Sequence, residues 1–154
     1  MSKKVLIANR GEISLRAIRA CKELGLKTVC IYSEGDKELK SLRFSDESVC
    51  VGPADPTKSY LDAPTILSAA DVTGSDAIYP GYGFLAEDHS FAEQCNLSGF
   101  KFIGPSSQTI RQMGDKITAK SIVTKYGIDG VPGYDKELPL SLIHISEPTR
   151  PLTI

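Results

Sequence analysis

The 154 residues are 41% apolar and 24% charged with a formal net charge of -1, which suits one soluble domain around a single core and offers no electrostatic footprint for nucleic acid. No apolar run reaches bilayer-spanning length and the first residues carry no apolar signal segment, so a cytoplasmic protein without membrane contact is expected. Cys21, Cys30, Cys50 and Cys95 are widely spaced, mostly inside apolar runs and without a C-x-x-C pair, so buried thiols in a reducing compartment are expected, not a metal site or a disulfide framework.

Val5 to Ala8 is a short apolar run rich in branched side chains, which predicts a buried strand. From Glu12 to Gly25 the period changes. Ile13, Ala17, Ala20, Cys21 and Leu24 recur at three and four, a helical stripe with Arg16, Arg19, Lys22 and Glu23 mostly off it, ended by Gly25. Thr28 to Tyr32 reads as a second strand. Two continuously apolar strands joined by such a helix predict a βαβ unit in a parallel sheet covered on both faces. Ser48 to Gly52 is a third strand, and Tyr60 to Gly74 holds a helix in which Pro64 fits only a first turn. Asp76 to Gly81 is a strand that must end near Pro80. Ser90 to Gly104 gives helix, glycine, strand, completing a sheet of about five strands with flanking helices.

Three stretches invite a chemical reading. The turn Asn9-Arg10-Gly11 lies between strand and helix, where a dinucleotide fingerprint needs three spaced glycines; it has one, so a nicotinamide or flavin site is not expected. Glu12 in the first helical turn would repel a phosphate, and Arg10 either counters that charge or is a solvated turn residue. The second stretch is YPGYGFLAED, Tyr79 to Asp88. Gly81 and Gly83 at the carboxyl end of a strand either expose backbone N–H groups to a ligand or form a tight turn whose tyrosines cap the core. In the third, Gly104-Pro105-Ser106 precedes a helix with Ile110 and Met113 on one face, Gly114 interrupts it, and Asp115 caps a helix from Lys116 to Tyr126. Lys116 is misplaced for the helix dipole, so it either serves an anion or is a solvated lysine.

The runs KKVLIANRGEISLRAIRACKELG, DESVCVGP, KSYLD, AIYPGYGFLAED, GFKFIGPS and IRQMGDK together resemble the N-terminal part of biotin carboxylases of the ATP-grasp superfamily, over residues 2 to about 136. The resemblance implies a Rossmann-like, parallel-sheet α/β domain over residues 1–113, and the start of the linker and ATP-grasp domain over 114–139. It implies a parent ligase, the biotin carboxylase subunit of acetyl-CoA carboxylase, that uses ATP, Mg2+ and bicarbonate to carboxylate biotin on biotin carboxyl carrier protein. Carboxyltransferase subunits would pass that carboxyl group on for malonyl-CoA and fatty acid synthesis. Tyr82 and Gly83 match the loop lining the biotin and bicarbonate pocket, Lys116 matches a lysine that reaches ATP phosphates, and the helix with Arg16, Arg19 and Glu23 matches a homodimer surface. Tyr79 stands where the bacterial pattern usually has His.

The family's glycine-rich lid, its acidic Mg2+ ligands and the carboxylate and arginine beside biotin belong to later domains, so no catalytic residue and no metal ligand is assigned here and the chain alone is expected to be inactive. A motif run beginning almost at Met1 favours a free-standing bacterial subunit. The alternatives are a pyruvate or propionyl-CoA carboxylase, a carbamoyl-phosphate synthase-like or glycinamide ribonucleotide synthetase-like enzyme, and a non-catalytic α/β nucleotide-binding module. At LSLIHISEPTRPLTI the resemblance stops. Leu140 to Arg150 resembles the translation of a transposase-type sequencing adapter, so residues 140–154 are expected to be a non-native, loosely packed tail in which His144 has no role. The native frame is expected to continue past about Glu137 into an ATP-grasp domain.

Overall fold

Five short segments, β1 (Lys4–Ile7), β2 (Lys27–Tyr32), β3 (Glu47–Cys50), β4 (Ala77–Tyr79) and β5 (Lys101–Phe102), pair in parallel in the order β3-β2-β1-β4-β5. The computed structural model describes residues 3–128, so the expectations for residues 140–154, His144 included, lie outside the described residues. In register, Val5 faces Thr28 on one side and Ala77 on the other, and Ile7 faces Cys30 and Tyr79. The sheet is wrapped by α1 (Gly11–Glu23), α2 (Ala63–Val72) and α3 (His89–Leu97), followed by α4 (Ser107–Gly114) and α5 (Lys116–Lys125). Contacts divide the chain into two units, Met1–Arg111 and Gln112–Ile154.

Both faces of the sheet are covered, which is why its central strands lack polar alternation. Leu6 and Ala8 point to one side, into a cluster with Val29, Ile31, Ile66, Ile78 and Phe91 that α2 and α3 help build. Ile7 points to the other, against Ala17 and Ile18 of α1 and Cys30. Leu6, Ile18, Ile66 and Ile78 are fully buried, so truncating any of them to Ala costs about 2–5 kcal/mol. This is the Rossmann-like, parallel-sheet architecture expected from the sequence.

Local chemistry ends the helices where expected. Pro64 sits in the first turn of α2. One hydrogen-bond pattern closes α1, α2 and α3 alike. The N–H of Leu26 donates to the Cys21 carbonyl at 2.8 Å, Ser75 to Ala70 at 2.9 Å and Phe100 to Cys95 at 2.9 Å, each turning the chain from helix to strand by a Schellman-type cap.

Two expectations are corrected. The buried stripe of α1 is Ser14, Ala17, Ile18 and Cys21; of the expected Ile13, Ala17, Ala20, Cys21 and Leu24, only Ala17 and Cys21 belong to it. The helix lies on the sheet through small side chains flanking Ile18, and Leu24, past its last turn, is 73% exposed. Cys50 is exposed because β3 is an edge strand, whereas Cys21, Cys30 and Cys95 are buried, and all four thiols are free. Burial pushes the Cys21 and Cys30 thiols up and the Cys95 thiol to about 12, which leaves them protonated and inert.

Candidate functional site at the carboxyl ends of β1 and β4

The sheet order reverses between β1 and β4, because β1 leads to β2 on one side while β4 leads to β5 on the other. In open α/β sheets the crevice at such a switch point is where ligands bind. Here two segments fill it. The Asn9-Arg10-Gly11 turn leaves β1, and the Pro80–Phe84 loop leaves β4, with the Ala8 N–H donating to the Tyr79 carbonyl at 2.8 Å.

Asn9 is fully buried between the two segments. Its side-chain Nδ2 donates to the carbonyls of Pro80 at 2.7 Å and Tyr82 at 3.0 Å, and its Oδ1 accepts the Arg10 N–H at 2.8 Å. Gly81 lies directly over this amide. A Cβ there would come within 2.7 Å of Ile13 Cγ2 and 3.0 Å of Asn9 Nδ2, at φ +71°. The loop thus packs directly on the Asn9 amide and on Ile13 of the first helical turn.

Arg10 neither counters Glu12 nor stands free. Its guanidinium lies 5.5 Å from the Tyr60 ring centroid and 5.7 Å from that of Phe84, and Nη1 reaches Asp36 Oδ2 at 3.3 Å. Tyr60 and Phe84 are themselves stacked, 5.4 Å apart and 15° from parallel. The same Asp36 oxygen accepts the Tyr60 hydroxyl at 2.7 Å and the Ser33 hydroxyl at 3.1 Å, while the Ser33 N–H donates to the Tyr60 oxygen at 3.0 Å. Burial and then the Asp36 carboxylate push the Tyr60 phenol up to about 12. Held from beneath, Phe84 sits at φ +46°, a left-handed conformation that costs about 1–2 kcal/mol for a residue with a Cβ and that the aromatic stack and Arg10 offset.

Of the two tyrosines, Tyr79 packs at the edge of the α1-side core. Tyr82 is 65% exposed and donates its hydroxyl to Glu12 Oε1 at 2.8 Å. Gly83, at φ +66°, has no heavy atom within 4 Å of the position a Cβ would take. The crevice therefore presents outward an exposed ring, an open glycine and a braced backbone. That arrangement suits one face of a small planar ligand.

The other sequence-derived candidates belong to other elements. Arg16, Arg19 and Glu23 share the exposed side of α1, where with Glu12, Leu15 and Ala20 they line a shallow concavity of about 470 Å³. Lys116 is exposed at the first position of α5 in the second unit, behind Asp115, whose Oδ1 accepts the Thr118 N–H at 2.6 Å. Its ammonium has no ion-pair partner among the described residues. Ile110 packs against the core, while Met113 is exposed. The described residues bring together no set of three His, Cys, Asp or Glu side chains able to hold a metal, and none of their helices is long and apolar enough to cross a membrane. Sequence reasoning missed Asn9 as a brace, and with it Asp36, Tyr60 and Phe84. A polar amide directly behind an apolar strand was the available signal for Asn9, since buried amides need partners; the others are brought together only by the fold.

The family model described as the biotin carboxylase N-terminal domain matches residues 1–110. The biotin carboxylase of Pseudomonas aeruginosa is 59% identical over 139 residues, 90% of this chain and 31% of that protein. A biotin carboxylase–βγ-ATP complex from Campylobacter jejuni superposes with a TM-score of 0.84 at 47% identity, covering 88% of this chain and 30% of the other. The biotin carboxylase domain dimer of the Hydrogenobacter thermophilus 2-oxoglutarate carboxylase, complexed with MgADP, ADP and bicarbonate, gives 0.83 at 47% identity with the same coverage. The chain spans about a third of the length of these relatives.

Proposed function

The chain belongs to the family of biotin carboxylase N-terminal domains, and from that premise we propose that it serves as the N-terminal domain of an ATP-dependent biotin carboxylase. The substrates are ATP, bicarbonate and biotin, the last presented on a carrier protein, with carboxyltransferase subunits receiving the carboxyl group for malonyl-CoA and fatty acid synthesis. The observation that carries this reading is the braced loop. Tyr82 and Gly83 stand at the sheet's switch point with the space over Gly83 open, one wall for the planar ureido ring of biotin.

ATP supplies the phosphoryl group that activates bicarbonate. Toward it this chain offers the exposed ammonium of Lys116, which has no ion-pair partner among the described residues and is suited to one charge-assisted phosphate contact. For Mg2+ the described residues bring together no ligand set. The α1 face with Arg16, Arg19 and Glu23 is the proposed homodimer surface; the Hydrogenobacter thermophilus relative is a dimer. Four free thiols suit a reducing cytoplasm.

The test is a chimera in which residues 3–128 replace the matching segment of the Pseudomonas aeruginosa enzyme. Biotin-dependent ATP consumption by the chimera, and none by the 154-residue chain alone, is the expected result. A folded chimera that consumes no ATP in response to biotin, or carboxylation of free biotin by the chain alone, overturns the proposal.

A further inference from the structure

We infer that Asn9 is the positioning residue of the ligand loop, aiming the Gly83 N–H outward toward an acceptor oxygen of the bound substrate. This inference rests on the reading of Tyr82 and Gly83 as part of the biotin and bicarbonate pocket. Carbonyl and N–H point in opposite directions across a trans peptide, so fixing one fixes the other. Asn9 Nδ2 holds the Tyr82 carbonyl at 3.0 Å from the buried side, and the N–H of that same peptide belongs to Gly83. It therefore points away from Asn9, opposite to the Tyr82 carbonyl. Among the described residues no acceptor takes this N–H.

The second donor of the amide holds the Pro80 carbonyl at 2.7 Å, which fixes the Pro80–Gly81 peptide in the same way. Gly81 cannot withdraw, because it already lies against Ile13 and Asn9. Only an amide of this length fits. Aspartate presents no N–H donors to two carbonyls, and glutamine adds a methylene where there is no room. The third bond, from the Arg10 N–H to Oδ1, keeps the amide from turning over. An outward N–H over an open glycine suits a carbonyl or carboxylate oxygen, the acceptor that biotin's ureido group and bicarbonate share.

The unsubstituted 154-residue chain gives the first test. NMR couplings across the hydrogen bonds from the Asn9 side-chain amide to the Pro80 and Tyr82 carbonyl carbons are expected, with a Gly83 amide that exchanges freely; absent couplings or a protected Gly83 amide overturn the inference. The second test uses Asn9→Ala and the isosteric Asn9→Asp in the chimera described above. With folding confirmed by circular dichroism, KM for biotin should rise about tenfold, the net worth of one or two lost hydrogen bonds, while KM for ATP stays within about twofold. Equal changes in both constants, or none, overturn the positioning role. An unsubstituted chimera that is folded but inactive refutes the functional reading instead, and the couplings in the chain then decide by themselves whether Asn9 sets the loop.

Discussion

The hydroxyl of Tyr82 donates to the Glu12 carboxylate at 2.8 Å, joining the loop after β4 to the first turn of α1 across 70 positions of sequence. That bond, and then the negative charge of Glu12, raise the Tyr82 phenol above its ordinary 10.0. Glu12→Ala should bring its titration back down, read from the Tyr82 ring carbon shift as pH rises. An unmoved titration would show that the two side chains do not meet in solution.

Asp36 is shifted in the opposite sense. Burial pushes its carboxyl up, but hydrogen bonds from Tyr60, Ser33 and Arg10 outweigh that and hold it below 3.8. A carboxyl with a lowered folded pKa contributes stability that is complete above the unfolded value and is lost as pH falls through the folded one. Stability should therefore drop as the solution is acidified below 3.8, and Asp36→Asn should flatten that decline. Urea midpoints from roughly pH 5 to pH 2 test this. Some acid sensitivity should persist in the variant, because hydrogen bonds from Thr28 hold Asp46 low as well.

How far the sequence revealed this arrangement depends on the range of the interaction. The strands, the first-turn place of Pro64 and the cap at Asp115 were legible because period, proline geometry and capping act within a few residues. The rotation of α1 that buries Ser14 and leaves Ala20 and Leu24 out was not, since it depends on which side chains the sheet presents beneath. Gly81 and Gly83 were picked out as a pair, yet their difference is set by distant Ile13 and Asn9. The Arg10–Asp36–Tyr60–Phe84 cluster draws on four separated segments, and no local pattern encodes such a meeting.

That difference between the glycines gives a paired test. Gly81→Ala places a methyl within 2.7 Å of Ile13 Cγ2 and should lose about 2–4 kcal/mol through overpacking added to left-handed strain. Gly83→Ala meets open space and should lose only about 1 kcal/mol. Urea denaturation of both variants measures this, and equal losses would contradict the packing described. In the chimera, Gly83→Val should impair turnover far more than stability; an unaltered rate would return the loop to a purely structural role.

Lys116→Ala in the chimera should raise KM for ATP roughly tenfold through loss of a charge-assisted phosphate contact. KM for biotin should stay within about twofold. Steady-state kinetics with unchanged ATP dependence would reject Lys116 as a phosphate ligand.

The exposed face of α1 makes a prediction about assembly. The chimera should sediment as a dimer at micromolar concentration, and Arg19→Glu, which brings a third carboxylate to the surface that holds Glu12 and Glu23, should shift it toward monomer. A chimera that sediments as a monomer without any substitution removes the proposed interface.

Because the brace on Tyr82 and Pro80 is the Asn9 side chain, already buried when the chain folds, the loop loses its conformational freedom before any ligand arrives. Ordering the backbone of such a loop costs about 1–2 kcal/mol per residue. A ligand docking over Gly83 is spared that cost and pays only for its own lost freedom and for desolvation. Calorimetry of biotin binding to the chimera should then show a smaller entropic penalty than in an Asn9 variant whose loop must become ordered around the ligand.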